Sequence, residues 1–322
     1  MESYDSVLRT AASNFETVTN GQRNVPWADF FNSPAFFEYH KKDGARGWYF
    51  ELVEKESQRT VSIAHFTEKE PGFFASPRRG TYGGINAIHS DVTLFDLFIE
   101  DIETAIRKAG GKRLQIAPAP FAHHPEQSAL QTNVFLRRKY DILKCEVNYD
   151  LTVDEVPLIE KMERNNQKRV RKCQREGCVF EHYNRREEYE QVYDVIRRNR
   201  ESRGFPVTMT LDHMLEMKSL FPDTWQFFGT RKDGRMIAAS VCIRLNPETL
   251  YVFYWGDLPD VHTMSPVAFH ASNLYAYCQS QKIRMLDIGT ATDNCIPNVG
   301  LMKFKERLGC RASLKLILGK DL

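Results

Sequence analysis

The sequence has no run of ~18 apolar residues of the kind a membrane-crossing helix needs. Its start, MESYDSVLRT, lacks the basic stretch followed by an apolar one that marks a secretory leader. A soluble cytoplasmic protein without an integral membrane segment is the expectation. Charge of one sign is also scarce: 44 Lys plus Arg against 42 Asp plus Glu leave a net +2. That excludes a uniformly basic coat for DNA and leaves only local patches. Cysteines at metal-ligand spacing are missing. The seven, at 145, 173, 178, 242, 278, 295 and 310, form no CxxC, and an odd number cannot all pair within one chain. They read as reduced, mostly buried thiols. His123 and His124 sit in a Pro-bounded loop without i, i+4 spacing, so they read as surface and no metal site is expected. No GxSxG occurs and no Cys lies in a nucleophile motif, which argues against a covalent intermediate.

What is present is material for two domains: 322 residues, 42% of them hydrophobic. Two stretches rhyme. Trp48–Val53, Thr60–Phe66 and Phe73–Ser76 predict three antiparallel strands, as do Trp225–Phe228, Met236–Leu245 and Leu250–Trp255. Each trio is followed by an amphipathic helix, Val92–Lys108 or Pro266–Cys278, and then by a short strand, Arg113–Ala117 or Arg284–Ile288. A strand reached by a helical crossover is free to run parallel to its neighbour. The pattern β-β-β-α-β therefore occurs twice and predicts two α/β domains related by duplication, 1–150 and 151–322, each with a mixed sheet.

The second domain opens on a predicted long helix, Leu158–Arg175, with Pro157 before it and Glu176-Gly177 as a stop. On a helical wheel Arg164, Lys168, Arg171 and Arg175 share one face, opposite Ile159, Met162, Val170 and Cys173. No acidic residue lies between Arg164 and Arg175. The stripe is either a solvated face or a seat for a phosphate-bearing ligand.

The segments ERNNQKRVRKCQREGCVFE, GTRKDGRMIAASVCIRL, LYVFYWGDL, SPVAFH and LDIGTATDNCIPNVGLMKFKERLGC together resemble the FemABX-like branch of the GNAT acyltransferase superfamily. In that group an Arg-rich helix ending in Gly opens the second domain and a Phe-Lys-x-x-x-Gly segment closes it. The run Ser76-Pro77-Arg78-Arg79-Gly80-Thr81-Tyr82-Gly83-Gly84 is similar to a loop of the same group. The resemblance implies two tandem GNAT-like domains, each a mainly antiparallel mixed sheet flanked by helices and facing the other across a cleft. It implies transfer of an acyl or aminoacyl group, from acyl-CoA or aminoacyl-tRNA as co-substrate, to an amine of a small molecule, peptide, amino sugar or cell-wall-type precursor. tRNA thus joins the implied partners, and no bound cofactor is implied. One departure stands out: GDLPDVHTMS, before Pro266, has none of the glycines with which a standard GNAT loop grips the CoA pyrophosphate. The alternative is a duplicated scaffold that has lost its chemistry and binds a peptide, glycan precursor or RNA.

Candidate roles follow. Lys305, at the Phe-Lys position, is the candidate cleft cation, for an oxyanion or a donor phosphate; its segment, Asn298–Gly309, offers Val299, Met302 and Leu308 for packing and puts Lys303 on another face. Asp287, at a strand end, and Tyr254 complete the candidate catalytic set. Arg164, Lys168, Arg171 and Ser265, the last as cap of the helix at Pro266, are candidates for the donor. Arg78, Arg79, Tyr82, Trp255 and Asp257 are candidates for the acceptor, although turns and core packing explain several of them equally well.

Overall fold

A computed structural model describes residues 4–21, 25–42, 44–261 and 264–322. The chain divides into two units, Met1–Val147 with Ser313–Leu322, and Asn148–Ala312. The last ten residues thus fall in the first unit, whereas the sequence places them in the second.

In the first unit, α1 (Tyr4–Asn14), β1 (Phe15–Thr19) and α2 (Pro34–Lys41) precede β2 (Gly47–Glu54), β3 (Thr60–Glu70), β4 (Phe73–Ser76) and β5 (Asn86–Ala87). Then come α3 (Val92–Lys108), β6 (Arg113–Ile116), α4 (Pro125–Arg137) and the strand β7 (Asp141–Thr152), whose last residues belong to the second unit. β1 to β4 form an antiparallel meander, and β4 pairs with β6 in parallel from Phe73↔Arg113 to Ser76↔Ile116. The crossover is α3, whose N-terminus is held by Asp91: its carboxylate accepts from the backbone N–H of Thr93 and Leu94. Its apolar stripe, with Phe95, Phe98, Ile102 and Ile106, is buried with Phe50, Phe66, Phe74 and Leu114. Each such side chain stabilises the unit by roughly 1.5–3 kcal/mol.

The second unit repeats the plan with α5 (Leu158–Lys161), α6 (Arg164–Arg175), β8 (Val179–Tyr183), α7 (Arg186–Glu201) and α8 (Leu211–Leu220). They are followed by the meander β9 (Trp225–Lys232), β10 (Arg235–Asn246) and β11 (Thr249–Asp257), by α9 (Pro266–Ser280), and by β12 (Met285–Thr290). A short hairpin, β13 (Thr292–Asp293) and β14 (Ile296–Pro297), leads to α10 (Val299–Arg307), and β15 (Arg311–Asp321) ends in the first unit. The strand after α9 runs parallel to β11 and antiparallel to Asn148–Thr152 of β7. The parallel fourth strand of each repeat is therefore present in both units.

The single long helix expected over 158–175 is in fact two. Met162 and Glu163 adopt extended backbone, ψ 151° and 147°, between α5 and α6. Long-range bonds hold the break: Glu163 N–H donates to the Arg307 carbonyl at 2.9 Å, and Asn166 Nδ2 donates to the same oxygen at 3.0 Å. Met162, Val170 and Cys173 are buried as the wheel predicts, and Ile159 is partly buried.

Candidate functional site

The chemistry-bearing residues of the second unit gather where its parallel strand pair splits. β11 and β12 pair only from Thr249↔Met285 to Tyr251↔Asp287, yet β11 continues to Asp257 and β12 to Thr290. A register shift on β10 leaves Phe253 without a partner there, a bulge that bends β11 where it leaves β12. On the other side Gly289 has φ +74°, a left-handed conformation that turns β12. Replacing Gly289 with Ala brings no clash, since the new Cβ meets only the Tyr251 ring at 3.6 Å. The backbone strain alone is expected to cost about 1–2 kcal/mol, readable as a lower urea midpoint with unchanged slope.

Helix α10 spans the split with two adjacent residues. Phe304 meets Trp255 of β11, ring centroids 6.1 Å apart. Lys305 donates to three successive carbonyls of β12: Ile288 at 2.8 Å, Gly289 at 2.8 Å and Thr290 at 2.9 Å. An ammonium has three protons, so this set saturates it. The side chain is 1% exposed and its Nζ lies 5.6 Å from the centre of the Tyr149 ring. Burial pulls its pKa down to about 8, against the pull of the Asp287 carboxylate and Cys310. Lys305 is thus neither a surface lysine nor an open cleft cation; it ties down the carbonyls of the strand that has left its partner. Val299, expected to pack, is exposed, as is Lys303, and Lys305 takes a buried position with Leu308.

Asp287 is 1% exposed and its Oδ1 accepts from Asn148 Nδ2 at 2.9 Å and from the Gly289 N–H at 2.8 Å. Asp150, also buried, is its register partner on β7. Asp287 therefore shapes the turn rather than facing solvent. The Tyr254 hydroxyl shares a 2.6 Å hydrogen bond with Thr208 Oγ1, and the Arg200 guanidinium lies 5.3 Å from its ring centre. Asp257 is buried, accepting from Asn199 Nδ2 at 3.2 Å with Arg203 at 3.9 Å. Trp255 is half-buried. Tyr149, Asn148, Asp150, Thr208 and Arg200 escape the sequence reading; the Phe-Lys pair at 304–305 and the Asp-Ile-Gly turn at 287–289 are the local signals that marked the place.

On α6, Arg164, Lys168, Arg171 and Arg175 are all exposed, and none takes part in an ion pair among the described residues. Ser265 does not cap α9. Its backbone is left-handed, φ 50° and ψ 61°, and its hydroxyl accepts no N–H of the first turn. His262 and Thr263 of the preceding segment lie outside the described residues. In the first unit Arg79 is exposed and Arg78 half-buried, its guanidinium donating to the His40 carbonyl at 3.4 Å. Tyr82 is not available to grip a ligand from the surface: it is fully buried, its ring edge-on to Phe31 and His123.

With this geometry in view, residues 160–305 match a family model described as an acetyltransferase (GNAT) domain. FemX shares the fold across the whole chain, with TM-score 0.73 at 12% identity, covering 100% of this chain and 96% of that one. L-PGS from Bacillus licheniformis follows at TM-score 0.58 and 11% identity, covering 92% and 93%. A tandem GNAT protein from the clavulanic acid biosynthesis pathway aligns at TM-score 0.50 and 11% identity, covering 86% and 83%. No curated protein matches the sequence. The architecture is thus that of two GNAT-like units in tandem.

Proposed function

We propose that the chain is an acyltransferase that moves an acyl or aminoacyl group from a phosphate-bearing donor onto an amine. The observation that carries this reading is the exposed, unpaired basic face of α6, inside the segment that matches the GNAT domain. At 1.5 Å per residue, Arg164 and Arg175 stand about 16 Å apart along the helix. That is longer than one pyrophosphate and suits a run of phosphates, which favours aminoacyl-tRNA over acyl-CoA. The missing glycines before Pro266 point the same way. The reaction needs no covalent enzyme intermediate: a neutral amine attacks the donor carbonyl, the C–N bond forms, the bond to the leaving oxygen or sulfur breaks, and the amine's proton departs. Tyr254, linked to Thr208, is the group assigned to the proton transfer: its hydroxyl gives its proton to the leaving oxygen or sulfur as it takes the amine's and so ends unchanged; Lys305 and Asp287 hold the shape of the split. The acceptor class is an amine of a peptide, amino sugar or cell-wall-type precursor, and the exposed Arg79 with the half-buried Arg78 suits an acidic one.

A second reading, a binding scaffold without chemistry, is favoured by one fact: the Lys305 ammonium has no proton left for a substrate. The two donor classes separate by thermal midpoint, measured with acetyl-CoA, a longer acyl-CoA, charged tRNA and uncharged tRNA at low and moderate salt. A ligand that binds the native state raises the midpoint by mass action. The expected result is a saturable rise with charged tRNA that fades with salt, because phosphate contacts release counterions. Reversing Arg164, Lys168, Arg171 and Arg175 to Glu is expected to abolish it while leaving the unliganded midpoint within a few degrees. A rise with acyl-CoA that survives the reversal would refute the assignment of the donor to α6.

A further inference from the structure

Among the described residues, α3, α4, α6, α9 and α10 end in the same backbone closure. In it a left-handed residue one place past the cap lets the following N–H reach back to the carbonyl five residues earlier, while its own N–H reaches the next carbonyl. The N–H to carbonyl pairs are Gly111 to Ile106, Tyr140 to Phe135, Cys178 to Cys173, Ile283 to Cys278 and Cys310 to Lys305. The closure brings the two side chains at its ends together. In α4 this is visible directly: Phe135 and Tyr140 touch with ring centroids 5.1 Å apart. At the end of α6 both positions are cysteine.

We propose that Cys173 and Cys178 are a redox pair, closed by a small-molecule disulfide into an intramolecular bond that ties the end of the basic helix to β8. The Cys178 N–H donates to the Cys173 carbonyl at 3.0 Å and the Gly177 N–H to the Gln174 carbonyl at 3.2 Å. Through that first bond the two Cα atoms stand no farther apart than about 7 Å by covalent geometry, the outer edge of what a disulfide spans. Gly177, at φ +73°, carries the turn. Cys178 is the point of attack, 9% exposed against 0% for Cys173, and its Sγ rests 4.0 Å from Met264 Sδ. Burial and the neighbouring Cys178 thiol push the Cys173 thiol up to about 12, so closure is slow and speeds up as pH rises.

The step balances. The Cys178 thiolate attacks one sulfur of the oxidant and releases one small thiolate. Cys173 then attacks the mixed disulfide at the Cys178 sulfur and releases the second. The two protons lost by the cysteines end on the two small thiols, and the oxidant's disulfide is the group reduced.

The test uses the full chain carrying Cys295→Ser, which removes the exposed thiol. The protein is held with oxidised glutathione at pH 8.5, quenched in acid, alkylated under denaturing conditions and cut with trypsin, which cleaves at Lys172 and Arg175. The expected product is the tripeptide Cys173-Gln174-Arg175 joined to the peptide that begins at Glu176, with both cysteines escaping alkylation together. Adding Cys178→Ser is expected to abolish the linked peptide without creating another; Cys178→Ala serves if the serine variant does not fold. Recovery of both peptides alkylated, or of Cys178 stalled as a glutathione adduct, would overturn the proposal.

Discussion

Acidification is expected to unfold this protein well above the range in which its carboxylates titrate. Burial lowers the imidazole of His182, in the second unit, and pulls four others down far enough to hold them neutral in the fold. His40 is pulled down to about 3, with His65, Arg79 and Arg78 adding to the effect, and His270 to about 3. His65 falls to about 4 despite its bond to the Phe31 carbonyl, and His89 to about 4 despite Asp91. Each folded value lies below that of the unfolded chain, near 6.5. As pH falls below about 6.5 the unfolded state takes up protons that the folded state refuses, so stability falls with falling pH. At pH 5 each histidine has removed about 2 kcal/mol, and four together remove an amount comparable to the whole stability of an ordinary domain. Three of them, His40, His65 and His89, lie in the first unit and only His270 in the second. Hydrogen exchange followed across the pH range is therefore expected to show the first unit opening first, with a midpoint above pH 4.5. Stability that stays flat from pH 7 to pH 4.5 would contradict the account of these four side chains.

Replacing Lys305 with Met is expected to have the second large effect, and its sign depends on which of two costs is greater. The lowered pKa says that burying the ammonium costs roughly 3 kcal/mol, which Met removes. Met also leaves three carbonyls without this donor, two of them buried and one part-buried, at roughly 1–3 kcal/mol each. The second cost is larger, so a net loss of about 2–4 kcal/mol is expected. A pH signature separates this from simple packing damage. The folded value, about 8, lies below the unfolded one near 10.5, so the unfolded chain holds the proton longer and wild-type stability rises between those limits. The Met variant should lack that rise, and Arg, a larger planar cation, should not restore it. If Lys305→Met is as stable as wild type and keeps the same pH profile, the three-carbonyl clamp is not what organises the split.

Much of the fold was legible because its signals are local. Phe73–Ser76 and Val92–Lys108 have the bounds their patterns predict, and both crossovers lead to the parallel strand anticipated from the order of elements. What escaped depends on partners far along the chain. Nothing in 158–175 announces the break at Met162, since the Arg307 carbonyl that receives Glu163 and Asn166 lies some 140 residues away. Position in the sequence likewise places β15 with the second unit, whereas its register, Leu318↔Ile116 to Asp321↔Arg113, puts it in the first. The site was half legible. The Phe-Lys pair and Asp287 were marked, but a lysine among Val299, Met302 and Leu308 reads as surface unless one knows that Gly289 bends three carbonyls toward it. Tyr82 failed for the opposite reason: a glycine-rich loop suggests exposure, and Phe31 and His123 enclose the ring.

The transfer reading is tested most directly by following the acyl group itself. The protein would be incubated with labelled alanyl-tRNA, and separately with labelled acetyl-CoA, together with a lysine-containing peptide, an alanyl peptide and glucosamine. Label recovered in an amide is then counted beside the Tyr254→Phe variant. The account predicts label in an amide from alanyl-tRNA, lost on reversing the α6 charges and reduced at least tenfold in Tyr254→Phe with little change in thermal midpoint. Donor binding with no label in any amine would contradict it and leave a tandem GNAT-like scaffold that binds without transferring.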